Sequence, residues 1–95
     1  MYDVQLLSDT AGDGIRKTSF QTCDFVCSTR IDIETEGDII RSVRYTGGCN
    51  GNTQGVSKLC IGRPVAEVIA LLEGIDCNGR GTSCPDQLAR ALKKL

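Results

Sequence analysis

Histidine and tryptophan are absent from this 95-residue chain. The lack of histidine excludes zinc sites of mixed Cys/His type, Cys-His nucleophilic dyads and the usual general base at neutral pH. Aromatic residues are few, Tyr2, Phe20, Phe25 and Tyr45, so the core is expected to be aliphatic and modest. Formal charge is −1, with acids and bases interleaved. Nothing resembles the basic stripe that neutralises phosphates, and nucleic acid is not an expected partner. The pair Lys93-Lys94 reads as the favourable basic end of a helix. No apolar run approaches the roughly 20 residues of a membrane span, and no basic start followed by an apolar stretch opens the chain. The expectation is a soluble, cytoplasmic protein with no membrane partner.

A chain of this length makes one domain, expected over residues 1–95. It buries only about 60 to 65% of the surface its unfolded form exposes, so a metal or crosslink would help it fold. Cysteine is what the chain has in excess, at positions 23, 27, 49, 60, 77 and 84. In a reducing cytosol that number argues for metal or redox chemistry rather than three disulfides. With no His available, any site is built from thiolates.

Read in order, residues 4–7 (VQLL) suit a short strand, and residues 8–14 (SDTAGDG) read as loop by their Gly, Asp and Ser content. A strand near residues 18–22 is expected to join the clearest local signal, the hairpin in TRIDIETEGDIIRSVRY, whose Ile31 and Ile33 alternate with polar residues before the TEGD turn. The glycine-rich TGGCNGNTQG opens a helix through Val56, Leu59 and Cys60 that stops at Gly62. Pro64 fits the first turn of a second helix carrying Val65, Val68, Ile69 and Leu72, with Gly74 at its C-terminal end. Leu88, Ala89, Leu92 and Leu95 form the buried stripe of a last helix. Strands first and helices after give an α+β fold, a small antiparallel sheet of about three strands with helices on one face.

The cysteines gain meaning from these elements. Ser83 or Thr82 can cap the last helix, Pro85 belongs in its first turn, and Asp86 or Gln87 can complete a capping box. Cys84 then sits where the positive end of a helix stabilises a thiolate. Cys49, between Gly48 and Asn50, is set up in the same way. Gly79 and Gly81 can fold the segment from Cys77 to Cys84 until both sulfurs meet, and Cys27 opens the hairpin's first strand. Together Cys27, Cys49, Cys77 and Cys84 make a plausible site of four thiolates. A C-x3-C spacing puts Cys23 and Cys27 on one side of a strand, and Cys23 and Cys60 read as small buried apolar residues.

The residues VCS at 26–28, GGCNGN at 47–52 and TSCPDQLARAL at 82–92 resemble the TSCPD domain, from about Thr18 onward, with residues 1–17 an extra N-terminal strand or loop. The resemblance implies a four-cysteine pattern at Cys27, Cys49, Cys77 and Cys84. Members occur as small stand-alone proteins and as C-terminal extensions of ribonucleotide reductases. The order of a cysteine, a hairpin, a Gly-Cys loop into a helix, IGRP, and a last cysteine opening a helix is also similar to the U-type iron-sulfur scaffold proteins. The fourth cysteine, Cys77, departs from that group, as does the missing aspartate after Cys27.

Two functions follow as expectations. One is a binding module holding zinc or an iron-sulfur cluster in a structural, regulatory or carrier role, with iron-sulfur assembly proteins among its partners. The other is a thiol redox module, Cys77 exchanging with Cys84, that serves ribonucleotide reductase.

Overall fold

The computed structural model describes residues 2–48, 50–76, 79 and 81–95. Four strands come first, β1 (Gln5–Gly12), β2 (Ile15–Gln21), β3 (Ser28–Glu36) and β4 (Ile39–Gly47), followed by α1 (Asn50–Cys60), α2 (Val65–Leu72) and α3 (Cys84–Lys93). The strands pair in sequence order, each antiparallel to the next. The fold is α+β.

The β3–β4 hairpin and all three helices stand where their patterns place them. The N-terminal reading needs correction. Residues 8–12, expected as loop, belong to β1, which pairs with β2 from Gln5↔Gln21 to Gly12↔Ile15. Only Asp13 and Gly14 form the turn, both with positive φ (55° and 81°), the backbone of a two-residue hairpin loop that twists with its flanking strands. The sheet therefore has four strands, close to the three expected. Every residue of β1 is exposed, so it carries none of the apolar alternation by which a half-buried strand is recognised.

One face of the sheet is apolar. Phe20 pairs with Ile31, Thr18 with Ile33, and Ile33 with Val43, which lines these side chains up on the face beneath the helices. The core comprises Val4, Phe20, Ile31, Ile33, Ile40, Val43, Cys60, Val68, Leu88, Ala91 and Leu92, aliphatic as expected apart from one phenylalanine and one thiol. The opposite face is polar: Ser19 donates to Asp32 at 2.5 Å, and Arg30 pairs with Asp32 at 2.9 Å.

Helix α1 contains Gly51 and Gly55, poor helix formers. Its stability comes from the stripe of Thr53, Val56 and Cys60, buried or half-buried at helical spacing against β4. Gly62, at φ +84°, reverses the chain after α1. The connection then runs beside the start of β4, where Ile40 N–H donates to Arg63 C=O at 3.0 Å and Gly62 N–H donates to Ile40 C=O at 2.8 Å. Pro64 is the N-cap of α2 rather than a residue of its first turn. Residues 2–4 lie along α3, fixed by Gln87 Nε2 donating to Tyr2 C=O at 2.5 Å and by an Asp3–Lys94 ion pair at 2.9 Å.

Candidate functional site

The run Thr82-Ser83-Cys84-Pro85-Asp86-Gln87 organises one end of the molecule. Ser83 is the N-cap of α3; its Oγ accepts from Asp86 N–H at 3.1 Å and donates to Ile75 C=O at 2.6 Å. Half of the expected capping box is thereby formed. The Asp86 carboxylate is used elsewhere, accepting from Gly74 N–H (2.8 Å), Thr82 Oγ1 (2.5 Å) and Arg90 Nε (2.8 Å). Burial acts to raise the Asp86 carboxyl, but the bonds from Arg90, Thr82 and Gly74 outweigh it and hold the group below the usual carboxylate range. Gln87 is fully buried; its Oε1 accepts from Cys23 N–H at 2.9 Å while Nε2 donates to Tyr2 C=O and Thr82 Oγ1.

Several of these bonds tie neighbouring loops to the start of α3. Gln87 holds the β2–β3 connection, which Thr22 also closes by donating from N to Thr29 C=O (3.2 Å) and from Oγ1 to Ser28 C=O (2.6 Å). Ser83 and Asp86 hold the end of the α2–α3 connection at Ile75 and Gly74. Within that connection the Asp76 carboxylate accepts from Gly79 N–H at 2.7 Å and Gly81 N–H at 2.5 Å. Gly79 and Gly81 have φ of +76° and +88°, a conformation that costs glycine least. The Tyr2 ring lies between the two loops, edge-on to Phe25 at 5.2 Å and so close to Gly81 that a Cβ there would come within 2.7 Å of it.

Cys84 is the first residue of α3 and only 9% exposed. Its Sγ lies 3.2 Å from Ser28 Oγ, and its C=O accepts from Tyr45 Oη at 2.9 Å. Burial first, then the thiols of Cys84 and Cys60, push the Tyr45 phenol well above its usual range, so it remains a donor. The first-turn amide of Asp86 is taken by Ser83 rather than by the Cys84 sulfur. Ser28 joins this thiol to two other segments. It follows Cys27 and pairs with Gly47, and a Cβ on Gly48 would lie 3.3 Å from both Ser28 N and Ser28 Cβ.

Of the four cysteines expected to form a site, Cys27 is exposed in the connection just before β3 and Cys84 is buried at the start of α3. Cys49 and Cys77 lie outside the described residues. Among the described residues no three or more Cys, Asp or Glu side chains gather as a metal would require. Cys23 and Cys27 do not share a strand, as their spacing suggested; both sit in the connection between β2 and β3, because β2 ends at Gln21 and β3 begins at Ser28. Cys60 is buried as expected, and burial raises its thiol above the usual range even though nearby Arg63 acts in the opposite sense. Cys23 is half-buried. The sequence reading missed Ser28 and Gln87 as positioning residues. Gln87 was marked only as a capping candidate, not as the residue that ties Cys23 and Tyr2 to α3.

No helix among the described residues is long and apolar enough to cross a membrane. No curated protein and no solved structure gives a significant match to the chain. The family model described as the TSCPD domain matches residues 8–95, a span that includes most of β1 and every hydrogen-bonded residue of the run just described. The chain belongs to the TSCPD domain family.

Proposed function

We propose that this protein is a metal-thiolate module in which Cys27, Cys49, Cys77 and Cys84 hold zinc or an iron-sulfur cluster. One observation carries the reading: the segments that bear or adjoin the other three cysteines are fastened to the surroundings of Cys84. The Cys27 segment is joined through Ser28, the Gly47-Gly48 segment through its packing on Ser28, and the Ile75-Asp76 segment through Ser83. Soft thiolate donors on separate loops suit both zinc and iron-sulfur clusters. Either would crosslink the four segments, and a cluster would add the capacity to take up an electron. The chain's own part is to converge the loops, bury Cys84 and exclude water from it.

The alternative, an exchanging pair of Cys77 and Cys84 that serves a ribonucleotide reductase, requires an accessible attacking or resolving thiol. The burial of Cys84 favours a ligand over an exchanging thiol. A structural, regulatory or cluster-carrying role fits best, with iron-sulfur assembly proteins or ribonucleotide reductase as candidate partners.

The test is metal analysis and absorption spectroscopy of protein purified without oxygen. Iron with visible absorbance, or zinc without it, is expected. Cys27→Ala, Cys49→Ala, Cys77→Ala and Cys84→Ala should each lower metal content, while Cys23→Ala and Cys60→Ala leave it near wild type. Protein free of metal, or equal losses in all six variants, contradicts the proposal.

A further inference from the structure

The two edges of the sheet differ in what lies beside them. Among the described residues no strand pairs with the outer side of β1. Strand β4 is partly covered: next to Asp38 and Ile40 runs the α1–α2 connection, where Val65 N–H donates to Asp38 C=O at 2.7 Å and Ile39 forms an antiparallel bridge with Pro64. That connection is the beginning of a fifth strand. It turns away into α1, and among the described residues the backbone bonds on this side of β4 are those of Asp38 and Ile40. Along residues 42–46 the lane continues as a groove of about 410 Å³ between the β4 edge and α1. In an antiparallel strand every second residue turns its N–H and C=O away from its partner, so this stretch offers a row of backbone groups to a further strand.

The side chains on the groove select the occupant. Arg44 on β4 and Lys58 on α1 both line it, with Ser42 and Ser57 as hydroxyl groups and Ile61, 53% exposed, as an apolar contact. Among the described residues no acidic side chain lines it. On the polar sheet face, Asp32 opposite Arg44 is bound to Ser19 and Arg30, and Glu34 stands opposite Ser42 outside the groove lining.

We infer that the β4–α1 groove is a docking site for an extended acidic segment of a partner protein, which adds as a strand to residues 42–46 in the lane begun by Pro64. Backbone hydrogen bonds supply affinity in this mode and side chains on alternate positions supply specificity. Arg44 and Lys58 set the preference for acidic residues and speed the encounter. The groove ends at Gly47 and Gly48, beside Ser28, so a segment seated there reaches the end of the molecule where Cys27 and Cys84 lie.

The probe is a short synthetic peptide of alternating Glu and Val, titrated into the full chain as purified and followed by amide chemical shifts. Saturable shifts are expected at residues 42–46 and along the facing side of α1. A peptide with Lys in place of Glu should not bind. The double variant Arg44→Glu, Lys58→Glu, checked for unchanged shifts in β2 and α3, should weaken the Glu-Val peptide by about tenfold or more. Two N-methylated peptides, one blocked at the Glu amides and one at the Val amides, test strand addition without altering the protein. At least one of them must lose binding. No saturable binding, shifts confined to β1, equal binding of the Lys peptide, or unchanged binding of both methylated peptides each overturns the inference.

Discussion

At the scale of single residues, Ser83 and Cys84 are neighbours with separable jobs. Ser83 Oγ caps α3 and holds Ile75, whereas Cys84 Sγ contacts Ser28 and is proposed as a metal ligand. Ser83→Ala is expected to cost about 1 kcal/mol in chemical unfolding and to leave most metal bound. Cys84→Ser keeps a small polar side chain beside Ser28 but offers a poor soft-metal donor, so it should lose metal while far-UV circular dichroism still shows α3. Equal metal content in the two variants would sink the distinction. Gln87 is a positioning residue of a different kind. Gln87→Leu keeps the volume but strips partners from the part-buried Cys23 N–H and from Tyr2 C=O, which should destabilise the protein by about 2 kcal/mol. A change below about 0.5 kcal/mol, the range of an ordinary surface substitution, would show that water replaces those bonds.

At the scale of elements, what the sequence announces is what is half-buried. Ile31 and Ile33 alternate with polar residues because one face of β3 is covered, and Val65, Val68, Ile69 and Leu72 recur at helical spacing because one side of α2 is. Those elements were legible for that reason. Strand β1 buries nothing, and its Ser, Asp and Thr content resembles loop; the Asp13-Gly14 pair was the signal that should have outweighed composition. The candidate site was legible in its helix-start cysteine, and the convergence of loops upon it was not. Bonds such as Ser83 to Ile75 and Gln87 to Cys23 join residues distant in the chain, and no local periodicity encodes them. The exposed edge strand also carries a dynamic expectation. Its amides should exchange with deuterium well before those of β2, β3 and α3, since it can detach without opening the core. Gly14→Val, strained at φ +81°, should speed that exchange further while leaving the helices unchanged. Protection of β1 equal to that of β3 would mean that its outer edge is covered in solution.

At the scale of the whole molecule, the aliphatic core and the cysteine end stabilise different regions. The core holds the helices to β2, β3 and β4. The other end depends on loops tied to α3 by single side chains, Gln87, Ser83 and Asp86, and on the Tyr2 ring seated against Gly81 and Phe25. A metal that crosslinked the four cysteine segments would contribute to folding in full, because no preformed site survives in the unfolded chain. A structural zinc supplies on the order of 10 kcal/mol in small domains. Removing the metal with a chelator is therefore expected to lower the thermal midpoint of the whole protein rather than to free one loop, and unchanged unfolding after verified removal would rule out a structural role. The central claim is that these four thiolates share one metal centre, and X-ray absorption at the metal edge reads it most directly. The account predicts a shell of sulfur neighbours at about 2.3 Å in wild-type protein, reduced in Cys27→Ser and in Cys84→Ser. A first shell of oxygen or nitrogen, or a sulfur shell unaltered by both substitutions, would contradict it.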